Sequence, residues 1–146
     1  MKSTTTILIS VGRGRNTRSV MGNNMQKIAI VLNFPWSLLG FLYGMLLLPA
    51  SIKMDKAELV VIIKVKRLWI NEIFLMRRVR GFTLGNTVLL SDVADGNTYS
   101  HEIVHVEQFT KMPLLFPLLY LVESMKNGYQ ANKYEKEAYQ RTNKPA

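Results

Sequence analysis

No cysteine occurs in the chain, so neither a disulfide nor a thiolate metal site can form, and any metal must be held by His, Asp, Glu or water. Histidine is almost as scarce. The only two, His101 and His105, stand four residues apart in "YSHEIVHVEQF". Acids are also few, 10 Asp and Glu against 19 Lys and Arg, and none precedes Asp55. Internal repeats are absent, which excludes solenoids and propellers. A length of 146 residues leaves room for one modest core and not for a second globular domain.

What the chain does have is a run of 23 residues without a charge, "IAIVLNFPWSLLGFLYGMLLLPA", from Ile28 to Ala50. At 1.5 Å per residue it reaches about 34 Å as a helix, against a hydrocarbon core of about 30 Å. Residues 27–50 are therefore expected to be a transmembrane anchor. Asn33, Pro35, Gly40 and Gly44 leave open a kinked or re-entrant form, and the two glycines also make a GxxxG that permits close helix approach. The net charge of +9 fits this anchor better than it fits nucleic acid, because the cations flank the run. Lys2, Arg13, Arg15, Arg18 and Lys27 precede it; Lys53, Lys56, Lys64, Lys66 and Arg67 follow. Five on each side give no orientation. Membrane lipid is the expected partner, and a nucleic-acid adaptor would need its Lys and Arg more than its histidines.

Residues 1–26 are polar and aperiodic and read as a disordered or non-native extension, with Met21 and Met25 as alternative starts. Residues 51–146 are expected to hold the folded domain. "AELVVIIKVKRLWI" predicts a strand over about Leu59 to Lys66, and "FLMRRVRGFTLGNTVLLSD" one or two more, turning at Gly81 or at Gly85-Asn86. "SDVADGNTY" reads as a loop, with Asn97 or Thr98 capping the histidine helix. The apolar segment 112–122, "MPLLFPLLYLV", is too short to span and is interrupted by Pro113 and Pro117. It is expected at the membrane interface or against the first apolar helix. A polar helix, "YQANKYEKEAYQR", closes the chain.

On a helix His101 and His105 lie about 40° apart, so both imidazoles can reach one ion. Glu102 falls beside them, placed to act as general base on a water without ligating the metal. Zinc is the expected ion, since it takes imidazole and carboxylate and leaves a position for water. With no third histidine, the remaining ligand must be a carboxylate: Glu123, Glu135 or Glu137. Helical phase favours Glu135, which shares a face with Ala131, Asn132, Ala138 and Tyr139. Glu137 lies opposite, between Lys133 and Arg141 at i−4 and i+4, as surface pairs do. Glu123, 18 residues past His105, follows an apolar run.

"HEIVHVEQF" followed by "NKYEKEAY" resembles the gluzincin arm of the zincin-like metallopeptidases, in which H-E-x-x-H supplies two zinc ligands and a later helix a glutamate. The membrane-associated members with an E-x-x-A-D motif are most similar, as are small bacterial membrane proteins with "TLG", H-E-x-x-H-V-x-Q and N-x-x-E-x-E-A-Y. The resemblance implies an α+β fold in which an N-terminal transmembrane or re-entrant helix and a short sheet precede a zincin-like helix pair. It also implies a bacterial inner-membrane location, Glu102 as base, and Glu135 as the glutamate ligand. Tyr139 stands where the larger families have an aspartate that orients an imidazole. Gln108, Asn132 and Tyr139 are the candidates to support the ligands, and Tyr134 and Tyr139 to donate to an oxyanion. "FTLGNTVLL" is placed either to bind a peptide by strand addition or, equally, to serve as a core strand. The expected function is a membrane-anchored zinc metallopeptidase acting on peptides or membrane proteins. The alternative is a non-enzymatic membrane protein with a structural or degenerate zinc site, acting through partners.

Overall fold

The computed structural model describes residues 23–142, so positions 1–22 of the extension expected over 1–26 lie outside the described residues. Positions 23–26, which the sequence places in that extension, are helical. The apolar run is not one helix. It breaks into α1 (Asn23–Leu32) and α2 (Phe34–Leu46), bent by 58° at Asn33. Pro35 is one cause, because it has no N–H to give the carbonyl of Val31 and its ring crowds that oxygen. Asn33 is the other. Fully buried, it donates from Nδ2 to the Phe109 carbonyl at 3.0 Å and accepts the Leu114 N–H at 3.3 Å. The apolar run over Ile28 to Ala50, for which Asn33 and Pro35 had left a kinked or re-entrant form open, is thus a bent pair. No single described helix is long and apolar enough to cross a membrane; the bent pair meets that test only together.

Strands β1 (Ser51–Asp55), β2 (Val60–Lys64), β3 (Gly81–Leu84) and β4 (Thr87–Leu90) form a mixed sheet in the order β1-β2-β4-β3. The central pair β2 and β4 is parallel, and both outer pairings are antiparallel. β3 and β4 turn at Gly85-Asn86, where Gly85 has φ 61°, a value glycine reaches without steric cost. Between β2 and β3 lies a short helix, α3 (Trp69–Leu75), where the sequence pattern suggested none.

Alternate strand residues point to opposite faces. Val61, Ile63 and Leu89 meet Phe41, Tyr43 and Leu47 of the α2 side. Val60, Ile62, Val88 and Leu90 meet Tyr99, Ile103 and Val106 of α4 (Gly96–Lys111). The sheet is therefore covered on both faces, which is why "TVLL" is entirely buried. Gly40 and Gly44 serve this layer: a Cβ on Gly44 would lie 2.6 Å from Ile63 Cδ1, and one on Gly40 3.1 Å from Leu84 and Thr87. Their close approach is to the sheet, not to a second helix.

The cap of α4 lies two or three residues before the expected Asn97 or Thr98. Asp95 is its N-cap, accepting the Thr98 N–H at 2.7 Å in a reciprocal capping box. The segment 112–122 becomes a loop and α5 (Phe116–Asn127), with Pro117 in the first turn. Leu114 in that loop has φ 64°, a left-handed conformation costing about 1–2 kcal/mol for a non-glycine. It is held there by Asn33 on its N–H and by the Trp36 indole N–H on its carbonyl at 3.2 Å. The segment is thereby pinned to the bent pair. α6 (Lys133–Arg141) closes the described chain, so Ala131 and Asn132 precede the helix on which the sequence analysis placed them.

Candidate metal centre

α4 presents His101 and His105 one turn apart, and α6 packs across it with Glu135 in its own first turn. What fixes α6 is Asn132. Fully buried, it caps the helix by accepting the Tyr134 N–H at 2.9 Å and ties it to α5 by donating to Ser124 Oγ at 2.7 Å and the Tyr120 carbonyl at 3.2 Å. Asn132 therefore positions the helix, and its side chain hydrogen-bonds to none of His101, His105 and Glu135. Ala138 is fully buried, in line with the close approach expected of a small residue on this face.

The donors converge tightly. His101 Nε2 lies 3.2 Å from Glu135 Oε2, His105 Nε2 lies 3.2 Å from Glu135 Oε1, and the two Nε2 atoms are 3.2 Å apart. One donor atom from each of the three residues falls within 4.8 Å of the others, so the group can hold a metal ion. A tetrahedral ion with bonds of about 2.0 Å needs donors about 3.3 Å apart, close to the spacing found here. All three residues are buried. Glu123 is elsewhere, accepting from Asn127 at 2.8 Å, and Glu137 lies one layer out.

That outer layer sets the tautomer of His105. Gln108 donates from Nε2 to the Tyr134 carbonyl at 3.1 Å and to Glu137 Oε2 at 2.9 Å, which turns its Oε1 toward His105 Nδ1 at 2.8 Å. An acceptor there requires a proton on Nδ1 and so makes Nε2 the nitrogen that faces the centre. Glu137 is thus more than a surface residue. It pairs with Arg141 at 3.5 Å as the sequence spacing suggested, but with Lys111 at 3.8 Å in place of Lys133, which lies over the Tyr134 ring. Gln108→Leu removes the orienting acceptor and is expected to weaken metal binding about 10- to 100-fold, read by competition with a chelator. An unchanged affinity would show that packing alone orients the ring.

His101 is oriented differently. Its Nδ1 is buried with no hydrogen-bond partner, and Tyr139 packs its ring against the imidazole, centroids 4.6 Å apart. Tyr139 replaces an acceptor with a steric wall. Tyr134 points into the aromatic cluster of Phe109 and Phe116, so the oxyanion role considered for it finds no support in its packing.

Two tyrosines that sequence reasoning missed reach the site. Tyr120 donates to Glu135 Oε1 at 2.6 Å and Tyr129 to Oε2 at 2.9 Å. Their only sequence signal is position, in the helix and loop just before Glu135. Burial and the Glu135 charge push both phenols up, so they remain donors at any ordinary pH. Burial by itself would raise Glu135, but hydrogen bonds from His101, His105 and Tyr120 and the His105 charge outweigh it and hold the carboxyl well below its usual range. Burial likewise opposes charge on His105, yet Glu135 carries it up to about 9.

Glu102 points from α4 toward the edge strand β3. Its Oε2 accepts from Thr83 Oγ1 at 2.7 Å. A Cβ on Gly81 would lie 2.5 Å from Glu102 Oε1, so only glycine leaves space for this carboxylate. Burial raises the Glu102 pKa, against the pull of both histidines and Thr83. Glu102, His101, His105 and Glu135 line one cavity of about 1080 Å³ with β3, reached also by Leu39 of α2 and Leu121 of α5. No family model, no curated protein and no solved structure matches the chain.

Proposed function

We propose that this chain is a membrane-anchored zinc metallopeptidase of the zincin-like kind, with His101, His105 and Glu135 holding zinc and Glu102 acting as general base. The observation that carries the reading is the set of three 3.2 Å separations among Nε2 of His101, Nε2 of His105 and the Glu135 oxygens. Nitrogen and oxygen donors at this spacing suit zinc, which requires no thiolate. Zinc bound there would polarise a carbonyl and acidify a water.

The chain's own groups supply the rest. Glu102 takes the proton of the attacking water and returns it to the leaving amine. Thr83 holds the carboxylate in place from the edge strand, whose open side is free to pair with an extended peptide. Tyr120 and Tyr129 donate to both Glu135 oxygens and so fix the orientation of the carboxylate ligand.

Anchoring is supported by the outer surface. Val31 of α1, Leu46 of α2, and Leu115 and Met125 around α5 are each at least 60% exposed, a distribution expected of a lipid-facing surface. The cavity reaches this surface through Leu39 and Leu121, which favours substrates held in or at a bilayer.

The function is tested by zinc content and by hydrolysis of apolar peptides by detergent-purified protein, with Glu102→Gln as the control. A wild type without metal after chelator-free purification, or with metal and no Glu102-dependent hydrolysis, overturns the reading. A pH dependence follows as well. Below pH 9 the metal-free His105 carries a proton that the ion must displace, because its folded pKa of about 9 lies above the usual 6.5. Zinc affinity is therefore expected to rise about tenfold per pH unit between about pH 6 and 8, with about one proton released per ion. Calorimetry in buffers of different ionisation enthalpy reads this directly, and a flat profile would contradict the His105–Glu135 pairing.

A further inference from the structure

Three arginines follow α3 in the loop that rims the cavity, and two of them are neutralised. Arg78 pairs with Asp92 at 3.1 Å and Glu72 at 3.7 Å, and Arg80 with Asp95 at 3.7 Å. Arg77 has no carboxylate within ion-pair distance among the described residues. Its guanidinium instead lies over the Tyr129 ring, 4.0 Å from the centroid, and lines the same cavity as the metal centre. A phenol face attracts a cation but does not neutralise it. Much of the remaining wall is apolar, with Leu39, Ile70, Phe82 and Leu121 among the lining residues.

Tyr129 links the two ends of this arrangement, because its hydroxyl reaches Glu135 Oε2 at 2.9 Å while its ring carries Arg77. An anion on Arg77 is therefore about one tyrosine side chain from the ligands. An extended peptide rises about 3.3 Å per residue, so that separation corresponds to about two or three residues.

We propose that Arg77 recognises a carboxylate of the substrate, at the chain end or on an acidic side chain, about two or three residues from the scissile bond. This deepens the peptidase reading and rests on it. The guanidinium fork matches a carboxylate with two parallel hydrogen bonds, and the apolar walls beside it suit the remainder of an apolar peptide. Substrates would be apolar peptides that end, or carry an acid, close to the bond cut.

The test measures binding to Glu102→Gln protein, loaded with zinc and again metal-free. The probes are an N-acetylated apolar tetrapeptide with a free C-terminal carboxylate, the same peptide amidated, and an amidated version ending in Glu. Either carboxylate is expected to bind about 10- to 100-fold tighter than the plain amide, with or without zinc. Adding Arg77→Gln should bring that ratio close to one, and Arg77→Lys should restore only part of it, since lysine keeps the charge and loses the fork. A preference that survives Arg77→Gln, as it would if the carboxylate sat on zinc, overturns the proposal, as does the lack of any preference. Wild-type turnover of the same peptides separates the two claims. An Arg77-dependent preference without hydrolysis sinks the peptidase reading and leaves the carboxylate site standing. Hydrolysis without preference does the reverse.

Discussion

Glu102→Gln is expected to lower peptide hydrolysis by about 10²- to 10⁴-fold while the protein retains its zinc, because it removes the proton acceptor and nothing that ligates. The substitution keeps the shape of the side chain, and the amide oxygen can still accept from Thr83 Oγ1, now 2.7 Å from the carboxylate. It also relieves a buried negative charge whose pKa burial already raises, so the fold should not suffer. Elemental analysis and kcat are read on one preparation. Full activity in the variant would remove Glu102 from the mechanism. Loss of zinc together with activity would make it part of the scaffold. A well-loaded variant whose wild type is equally inert would leave the non-enzymatic alternative as the better account.

Why Glu102 was legible and its surroundings were not is a matter of range. The H-E-x-x-H pattern is local, so one helix of 16 residues sets the relation of His101, Glu102 and His105. Thr83 and Gly81 meet Glu102 only because β3 is the sheet edge beside α4, a pairing about 20 residues distant that no periodicity announces. The same holds for β1. Its residues "SIKMD" lie at the opposite edge, the central three exposed and the outer two half-buried, and give no buried stripe to detect. α3 has seven residues, too few for a helical period, in a stretch whose β-branched composition points to strand.

The apolar run shows a different limit. Its composition announced a helix of spanning length, and Asn33 and Pro35 announced the place where it bends. What composition cannot reveal is that Asn33 is a buried bracket joining the apolar pair to the end of α4 and to Leu114. Gly40 and Gly44 were visible as a close-approach motif, yet the partner is the sheet, because α2 covers the face that α4 does not. The group that could hold a metal contains Glu135, the carboxylate that phase on α6 favoured among three, although that helix starts later than its sequence pattern suggested. Periodicity tolerates an error in the boundary, since it depends only on positions within the helix.

Glu135→Ala is expected to cost about two to three orders of magnitude in zinc affinity, whereas Glu123→Ala should cost nothing. A tetrahedral zinc site in a small domain binds with about 10–16 kcal/mol, so one ligand among three or four accounts for a few of these. More than the metal bond is lost. Glu135 also accepts from Tyr120 and Tyr129 and balances His105, and alanine leaves two buried hydroxyls and a buried imidazole without their partner. Glu135→Gln is the variant to compare, because it keeps an acceptor for the tyrosines while removing the charge. If the ligand role dominates, both variants release zinc and Gln is the better folded of the two, read by chelator competition beside thermal unfolding. Glu137→Ala provides the graded control: it removes one of the two acceptors that hold the Gln108 amide, so a loss of about tenfold or less is expected. If Glu137→Ala or Glu123→Ala released zinc as fully as Glu135→Ala, the ligand assignment would be wrong, and with it the geometry on which the peptidase reading stands.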